Sequence, residues 1–306
     1  MKRVLLVLLV LVLALAGAGV AWLYTPDIPR GELEAKYLRG PQDYVEVDGL
    51  RAHVRDDGQG PAIILVHGFA SHLMTWDAWA KDLSRDHRVV RFDLPGHGLT
   101  GPDPQGYAMD RLPRFVVAVM DRLGIDKATV VGNSLGGYTA WRVAAEHPDR
   151  VEKLVLIAAG GFLREGYAYG DAPDLPFYAA VMTWATPPSL VRLTTARLYA
   201  DPARLTDAAA ETYSDMMRAP GVRRALLDRL DSFSVADPLP ALRSIRAPTL
   251  LMWGAKDPMV PLADAEKFRQ AIPDATLVTY QDAGHMPMEE IPERTLKDLR
   301  AFLGRD

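Results

Sequence analysis

The chain contains no cysteine. That excludes disulfides, Cys-ligated zinc and a thiol nucleophile together, and leaves the redox compartment open. It also lacks a basic run. Its 35 Lys and Arg stand against 39 Asp and Glu, a net charge of −4, so nothing in the charge pattern favours nucleic acid as a partner. No internal repeat with a period of 20 to 50 residues is present. Charge is missing altogether from Val4 to Tyr24, a run of 21 residues behind Lys2 and Arg3.

A helix of that length rises about 30 Å, the thickness of a bilayer core. Two readings compete for residues 1–24. As an uncleaved membrane anchor, the run is long enough to span, and Trp22 and Tyr24 sit where interfacial aromatics belong. As a signal peptide, Ala14-Leu15-Ala16 and Gly19-Val20-Ala21 offer small-residue cleavage sites, although signal-peptide apolar regions are usually shorter, about 7–15 residues. The anchor is the preferred reading. Lys2 and Arg3 favour a short cytoplasmic tail with the remainder outside, against which Arg30, Lys36 and Arg39 follow the run closely; the outside orientation is preferred. The expected localisation is therefore a membrane-anchored, extracytoplasmic domain, or a secreted one after cleavage. No cysteine follows the run, so a lipid-modified lipoprotein is excluded.

What is present is enough for a sizeable core: 306 residues, 49% of them hydrophobic. Residues 25–42 mix Pro, Gly and charges and read as a linker or extended arm. Tyr44 to Val47 and Arg51 to Arg55 alternate around Asp48-Gly49, a hairpin signal. Continuous apolar runs follow at Ala62 to Val66, Val89 to Phe92, Ala128 to Val131, Leu154 to Ile157, Thr249 to Trp253 and Thr276 to Tyr280. Such runs suit strands buried on both faces of a parallel sheet. Helical spacing appears between them, at Trp76 to Leu83, Arg111 to Leu123 and Leu135 to Ala145. Alternating strand and helix predicts an α/β fold.

The alternation breaks between residues 162 and 241. This stretch is rich in Pro, with helical pieces at Asp207 to Met217 and Val222 to Leu230. It reads either as an ordinary helical subdomain or as a lid over an active site. The lid is preferred, because an insertion after a strand lies on the edge where α/β sheets bind ligands. The expected organisation is a core in two parts, 43–161 and 242–306, with the helical lid (cap) between them.

Gly132-Asn133-Ser134-Leu135-Gly136-Gly137 joins a strand to a helix with the pattern G-x-S-x-G. The turn is so sharp that the flanking positions cannot carry bulk, and Gly132 and Gly136 meet that need. It lifts the Ser134 hydroxyl clear of the backbone, at a helix N-terminus that favours developing negative charge. The competing reading is a small-residue turn that lets a helix pack closely on a sheet. A phosphate-binding loop is a weaker rival, since no Gly-Lys-Ser/Thr ending follows.

A serine hydroxyl needs a base, and histidine titrates in the right range. In strand–elbow–helix hydrolases the partners follow in the order serine, acid, histidine. Of seven histidines, only His147 and His285 come after Ser134. His147 lies about 13 residues along the helix that starts at the elbow, ~20 Å away, and cannot reach. His285, in a loop after the strand ending at Tyr280, is the candidate base. Asp257 follows the strand ending at Trp253 and is the candidate acid. It would hold the imidazole tautomer and stabilise the imidazolium. An oxyanion hole needs two backbone amides. Leu135 supplies one and Phe69 the other, with Gly68 allowing close approach. His67 is expected to bond its own loop.

His67-Gly68-Phe69, Asp93-Leu94-Pro95-Gly96-His97-Gly98, the Ser134 elbow, Trp253-Gly254-x-x-Asp257 and Gly284-His285 together resemble the α/β-hydrolases. That group includes carboxylesterases, lipases, lactonases and meta-cleavage-product hydrolases. The resemblance implies a mostly parallel eight-stranded sheet with helices on both faces and a helical lid insertion. It implies a structural role for residues 93–98 and no metal or organic cofactor. A serine nucleophile argues against the related haloalkane dehalogenase and epoxide hydrolase branches, which use aspartate. The expected reaction is cleavage of a carboxylic ester through an acyl-enzyme. Phe162, Phe177, Tyr178, Met182, Trp184, Leu190 and Leu193 either line a pocket for a small apolar ester or form the lid's own core. A carbon–carbon bond hydrolase is the rival enzyme, weakened because Ala70-Ser71-His72 stands where that branch usually has Gly-Pro-Gly. A rival of another class is an inactive, membrane-tethered binding module, against which the intact triad argues.

Overall fold

The computed structural model describes residues 2–164, 166–172 and 174–304, without the side chains of residues 2–4, 6 and 16. Tyr44–Val47 (β1) and Leu50–Asp57 (β2) pair antiparallel. They turn at Asp48 and Gly49, with φ of 48° and 78°, the left-handed pair that Asp-Gly accepts readily. The apolar runs form Ala62–Val66 (β3), Arg88–Phe92 (β4), Ala128–Asn133 (β5), Val151–Ile157 (β6), Thr249–Gly254 (β7) and Ala275–Tyr280 (β8). The eight strands lie in the order β1-β2-β4-β3-β5-β6-β7-β8. From β4 to β8 every neighbouring pair is parallel.

The helices are Lys2–Leu23 (α1), Arg30–Tyr37 (α2), Asp77–Leu83 (α3), Arg111–Arg122 (α4), Leu135–Glu146 (α5), Pro188–Ala196 (α6), Asp207–Met217 (α7), Val222–Asp231 (α8), Leu239–Ser244 (α9), Leu262–Ala271 (α10), Pro287–Glu290 (α11) and Pro292–Leu303 (α12). Strand periodicity divides the core between two layers. Ile64 and Val66 of β3 face a cluster with Phe115 and Val119 of α4 and Val143 of α5. Ile63 and Leu65 face the other layer, with Trp76, Trp79 of α3 and Leu299 of α12.

Strand order reverses at β3. Its successor β4 lies on one side and β5 on the other. The loops that follow β3 and β5 therefore part at their C-terminal ends and leave a crevice, the usual ligand position of an open α/β sheet. Between β6 and β7 the chain makes α6 to α9 and no strand among the described residues.

One feature differs from expectation. The arm at 25–42 is folded rather than extended. It forms α2, with Leu33 buried among Leu99, Met216, Val222 and Leu226. Lys36 Nζ and Tyr37 Oη both meet Asp215 at 2.7 Å, which ties α2 to α7. Tertiary packing, not the helix propensity of eight residues, makes this helix. The apolar run at 4–24 falls in α1, whose described large apolar side chains are mostly exposed. Among the described residues no helix is long and apolar enough to cross a membrane; the side chains of Val4, Leu6 and Ala16 lie outside them.

Asp93, at the end of β4, braces the crevice. It is fully buried and accepts from the Leu73 amide, the Leu99 amide and His53 Nδ1, each at 2.8 Å. It thus fastens the loop after β3 to the loop after β4. Burial alone would raise its pKa. The attraction of His53 with its hydrogen bond, and the bond from the Leu73 amide, outweigh that and hold it well below the carboxylate range. His72, on the same loop, is buried, and neither ring nitrogen has a hydrogen-bond partner. Burial pushes its pKa down to about 3.

Two outcomes are expected. Leu33→Ala should destabilise the protein by about 2–4 kcal/mol, as a truncated core leucine does. An arm that merely lies on the surface would lose under about 0.5 kcal/mol, and urea unfolding distinguishes the two. Acid should also weaken the fold. An unfolded His72 takes up a proton near pH 6.5 and the folded one only near pH 3, so stability falls as pH drops through this window. The loss approaches about 1.4 kcal/mol per pH unit from this one group. Thermal unfolding between pH 7 and 4 should show a shallower decline in His72→Gln.

Candidate active site

Ser134 sits between β5 and α5 with φ 55° and ψ −114°, a backbone conformation that a non-glycine residue holds only under constraint from its surroundings. The constraint is visible. A β-carbon on Gly136 would stand 2.1 Å from the Val66 carbonyl oxygen at the end of β3, and one on Gly132 would stand 2.1 Å from the Gly136 carbonyl oxygen. Both glycines are therefore demanded by contact, as the spacing predicts. The Ser134 amide donates to the Ile157 carbonyl at 3.0 Å, and the Ser134 carbonyl accepts from the Gly160 amide at 3.0 Å, so β6 and the loop after it hold the turn. Gly68 lies against the elbow too: a β-carbon there would be 3.2 Å from the Ser134 β-carbon.

The candidate acid Asp257 and the candidate base His285 lie on the loops after β7 and β8. His285 Nδ1 donates to Asp257 Oδ2 at 2.8 Å, and both side chains are shielded from solvent. The second oxygen of Asp257 accepts from the amides of Met259 and Val260, at 2.7 and 2.9 Å. These bonds orient the carboxylate and leave one oxygen for the imidazole. Since Nδ1 carries the proton, Nε2 is left with the free lone pair. Asn133, next to Ser134, donates to the Ile157 and His285 carbonyls, each at 3.1 Å, and links the elbow to the histidine loop. His147 caps the far end of α5.

Phe69 and Leu135 line the same cavity as Ser134. Among the described residues neither of their amides donates to a protein acceptor. His67 explains the first. It accepts from the Leu94 amide at Nε2 (2.9 Å), which fixes the proton on Nδ1, and that nitrogen donates to the Gly68 carbonyl at 2.7 Å. In a trans peptide the N–H points opposite to the C=O. Holding the Gly68 oxygen toward His67 thus turns the Phe69 N–H the other way. Burial lowers the pKa of His67, which keeps it neutral in this role. His67 is a loop brace, as its position predicts.

The cavity has a volume of about 420 Å³ and a mainly apolar wall, including Tyr138, Phe162, Leu230, Phe233 and Val235. Arg229 also borders it, buried, with its guanidinium turned to the Pro95 carbonyl at 2.7 Å. Of the seven apolar residues expected around a pocket or in a lid core, Phe162 alone borders this cavity. Met182 borders a smaller crevice beside Phe69. Phe177, Tyr178, Leu190 and Leu193 are exposed and Trp184 half-buried, so these form neither a pocket nor a core. The sequence shows that apolar residues are present in this stretch, not which way they face.

Sequence reasoning missed Glu290. It is buried, accepts from the Gly284 amide at 2.7 Å and the Asp201 amide at 2.9 Å, and so couples the histidine loop to the helical insertion. The His285 amide donates to Leu198 in the same insertion, at 2.7 Å. No local motif marks such a long-range tie.

Comparison with known proteins agrees with this architecture. The chain is 34% identical to the dihydrolipoyllysine-residue acetyltransferase component of the acetoin cleaving system of Pseudomonas putida, over 94% of this chain and 80% of that one. It is 29% identical to a pimeloyl-[acyl-carrier protein] methyl ester esterase of Nitrosomonas europaea, over 79% and 95%. A solved bacterial membrane phospholipase A superposes with a TM-score of 0.73 at 27% identity, covering 99% of this chain and 98% of that one. The model of the alpha/beta hydrolase fold family matches residues 61–292, and the chain belongs to that family.

Proposed function

We propose that the protein is a serine hydrolase that cleaves carboxylic esters through an acyl-enzyme. The observation that carries this reading is Ser134, held at positive φ beside two unclaimed amides, with an oriented His285–Asp257 pair on the neighbouring loops. Ser134 Oγ attacks the ester carbonyl carbon while His285 Nε2 takes its proton. The Phe69 and Leu135 amides receive the oxyanion. Asp257 stabilises the imidazolium, which then gives its proton to the departing alcohol. Water, activated by the same histidine, attacks the acyl carbonyl and releases the acid. No cofactor enters these steps.

The mainly apolar wall supports a small apolar acyl or alcohol group as the bound portion. We read the insertion at 162–241 as a lid, since Phe162, Arg229 and Phe233 line the cavity together with Ser134. Residues 4–24 serve as a membrane anchor with the catalytic domain outside the cytoplasm, or as a signal segment that is cleaved to release it. The uncharged run supports the anchor. So does the coverage of nearly the whole chain by the likeness to a membrane phospholipase.

Hydrolysis of a p-nitrophenyl ester series, acetyl to palmitoyl, is the test. Wild type should show a chain-length optimum, and Ser134→Ala should lose both turnover and labelling by a fluorophosphonate. Ser134 labelled but no ester cleaved would direct attention to a carbon–carbon substrate. No labelling at all would leave a binding module. Within the ester reading, Asp257→Asn should lower kcat by about 10⁴ with the fold intact, because the imidazole is then presented in the wrong tautomer.

A further inference from the structure

The exposed apolar side chains of the insertion remain without a role. Phe177 is 94% exposed, Tyr178 63% and Met182 51%, all in one short helical stretch, Phe177–Thr183. On α6, Leu190 and Leu193 point outward at 42% and 52% while Val191 and Thr195 point inward. Soluble surfaces rarely gather large apolar groups in this way without a partner.

Three observations say what the partner is. First, the patch adjoins the exit of the apolar N-terminal helix. Directly after α1 the Thr25 amide donates to the Trp184 carbonyl at 2.8 Å. Arg223, buried, clasps the same place. It donates to the Thr25 carbonyl at 2.7 Å, Thr186 Oγ1 at 3.0 Å and Asp27 Oδ1 at 2.6 Å. Trp22 and Tyr24, both exposed, stand at this junction. Second, the stretch carries no carboxylate. Residues 175–200 contain no Asp or Glu but Arg197 and Arg192, the latter paired with Asp207 at 2.7 Å, so the local charge does not repel phosphate headgroups. Third, a narrow apolar crevice of about 40 Å³ is lined by Met182, Leu226, Leu230 and Phe69, so it runs beside the wall of the Ser134 cavity.

We propose that the exposed side chains of Phe177, Tyr178, Met182, Leu190 and Leu193 lie in the surface of a phospholipid bilayer, beside the N-terminal helix. Aromatic and aliphatic side chains there bury their apolar parts at the headgroup boundary. The mouth of the Met182 crevice is then presented to lipid, and the esters within reach are those of membrane lipids. This last consequence rests on the esterase reading; the docking itself does not.

The absence of cysteine makes the test clean. Phe177→Cys, Leu193→Cys and Lys127→Cys are made in the full chain. Each is labelled with an NBD fluorophore and incorporated into phosphatidylcholine–phosphatidylglycerol vesicles. Lys127 is exposed and precedes β5, at the opposite end of the sheet from Ser134. Shallow doxyl-labelled phosphatidylcholine should quench emission about twofold or more at 177 and 193, where side chains lie at the headgroup boundary, and leave 127 unchanged. Vesicle-bound protein with 177 and 193 as bright as 127, or with all three quenched alike, overturns the docking and leaves the anchor standing. Protein that fails to sediment with vesicles overturns both. The readout needs no turnover, so an inactive enzyme that is quenched at 177 and 193 sinks the esterase reading alone.

Discussion

The backbone of α5 crosses the end of β3 so closely that no β-carbon fits between Gly136 and the Val66 carbonyl. Most of the site depends on that approach. It forces the turn at Ser134 into its constrained conformation and brings the loop after β3 beside that residue. The Leu135 and Phe69 amides thus border one cavity. A side chain at either elbow glycine would push α5 off the sheet and separate these parts together. Close-packed interiors transmit such strain rather than absorbing it.

Around this contact the chain uses buried polar groups as braces. Asp93 ties two loops with three hydrogen bonds, and His67 turns a single peptide. Both are shielded from water, where a satisfied polar group is strong and an unsatisfied one is expensive. His72 has no such satisfaction. It packs against Tyr213 with ring centroids 4.5 Å apart, as a neutral aromatic ring would. The three residues look alike as histidines or acids near a motif, yet they do different work. Neighbouring loops decide which.

This explains what was legible in the sequence. The strands and the elbow were, because buried parallel strands read as continuous apolar runs and the turn at Gly132 to Gly136 leaves steric traces in residue type. His285 and Asp257 were legible through chain order and strand ends, and the structure joins them directly. The fold of residues 25–42 was not. Its one buried leucine and its ties to Asp215 come from α7 and α8, far along the chain, and no local pattern announces them. The facing of the insertion's aromatics was equally hidden. Apolar residues in a Pro-rich stretch with no clear period carry composition but no direction.

The insertion is not a free flap. Leu198 accepts from the His285 amide, and Glu290 links Asp201 to Gly284. Swinging this part away would pull on the general base of the proposed reaction. α2 and the segment before it hold α7 and α8 as well, through Leu33, Lys36 and Arg223. The stretch before α6 is tied more sparsely among the described residues, for instance by Arg164 to the Met259 carbonyl and by the Gly170 amide to Val235. That stretch begins at the cavity wall and ends at the exposed apolar face, so it joins the surface to the cavity that holds Ser134.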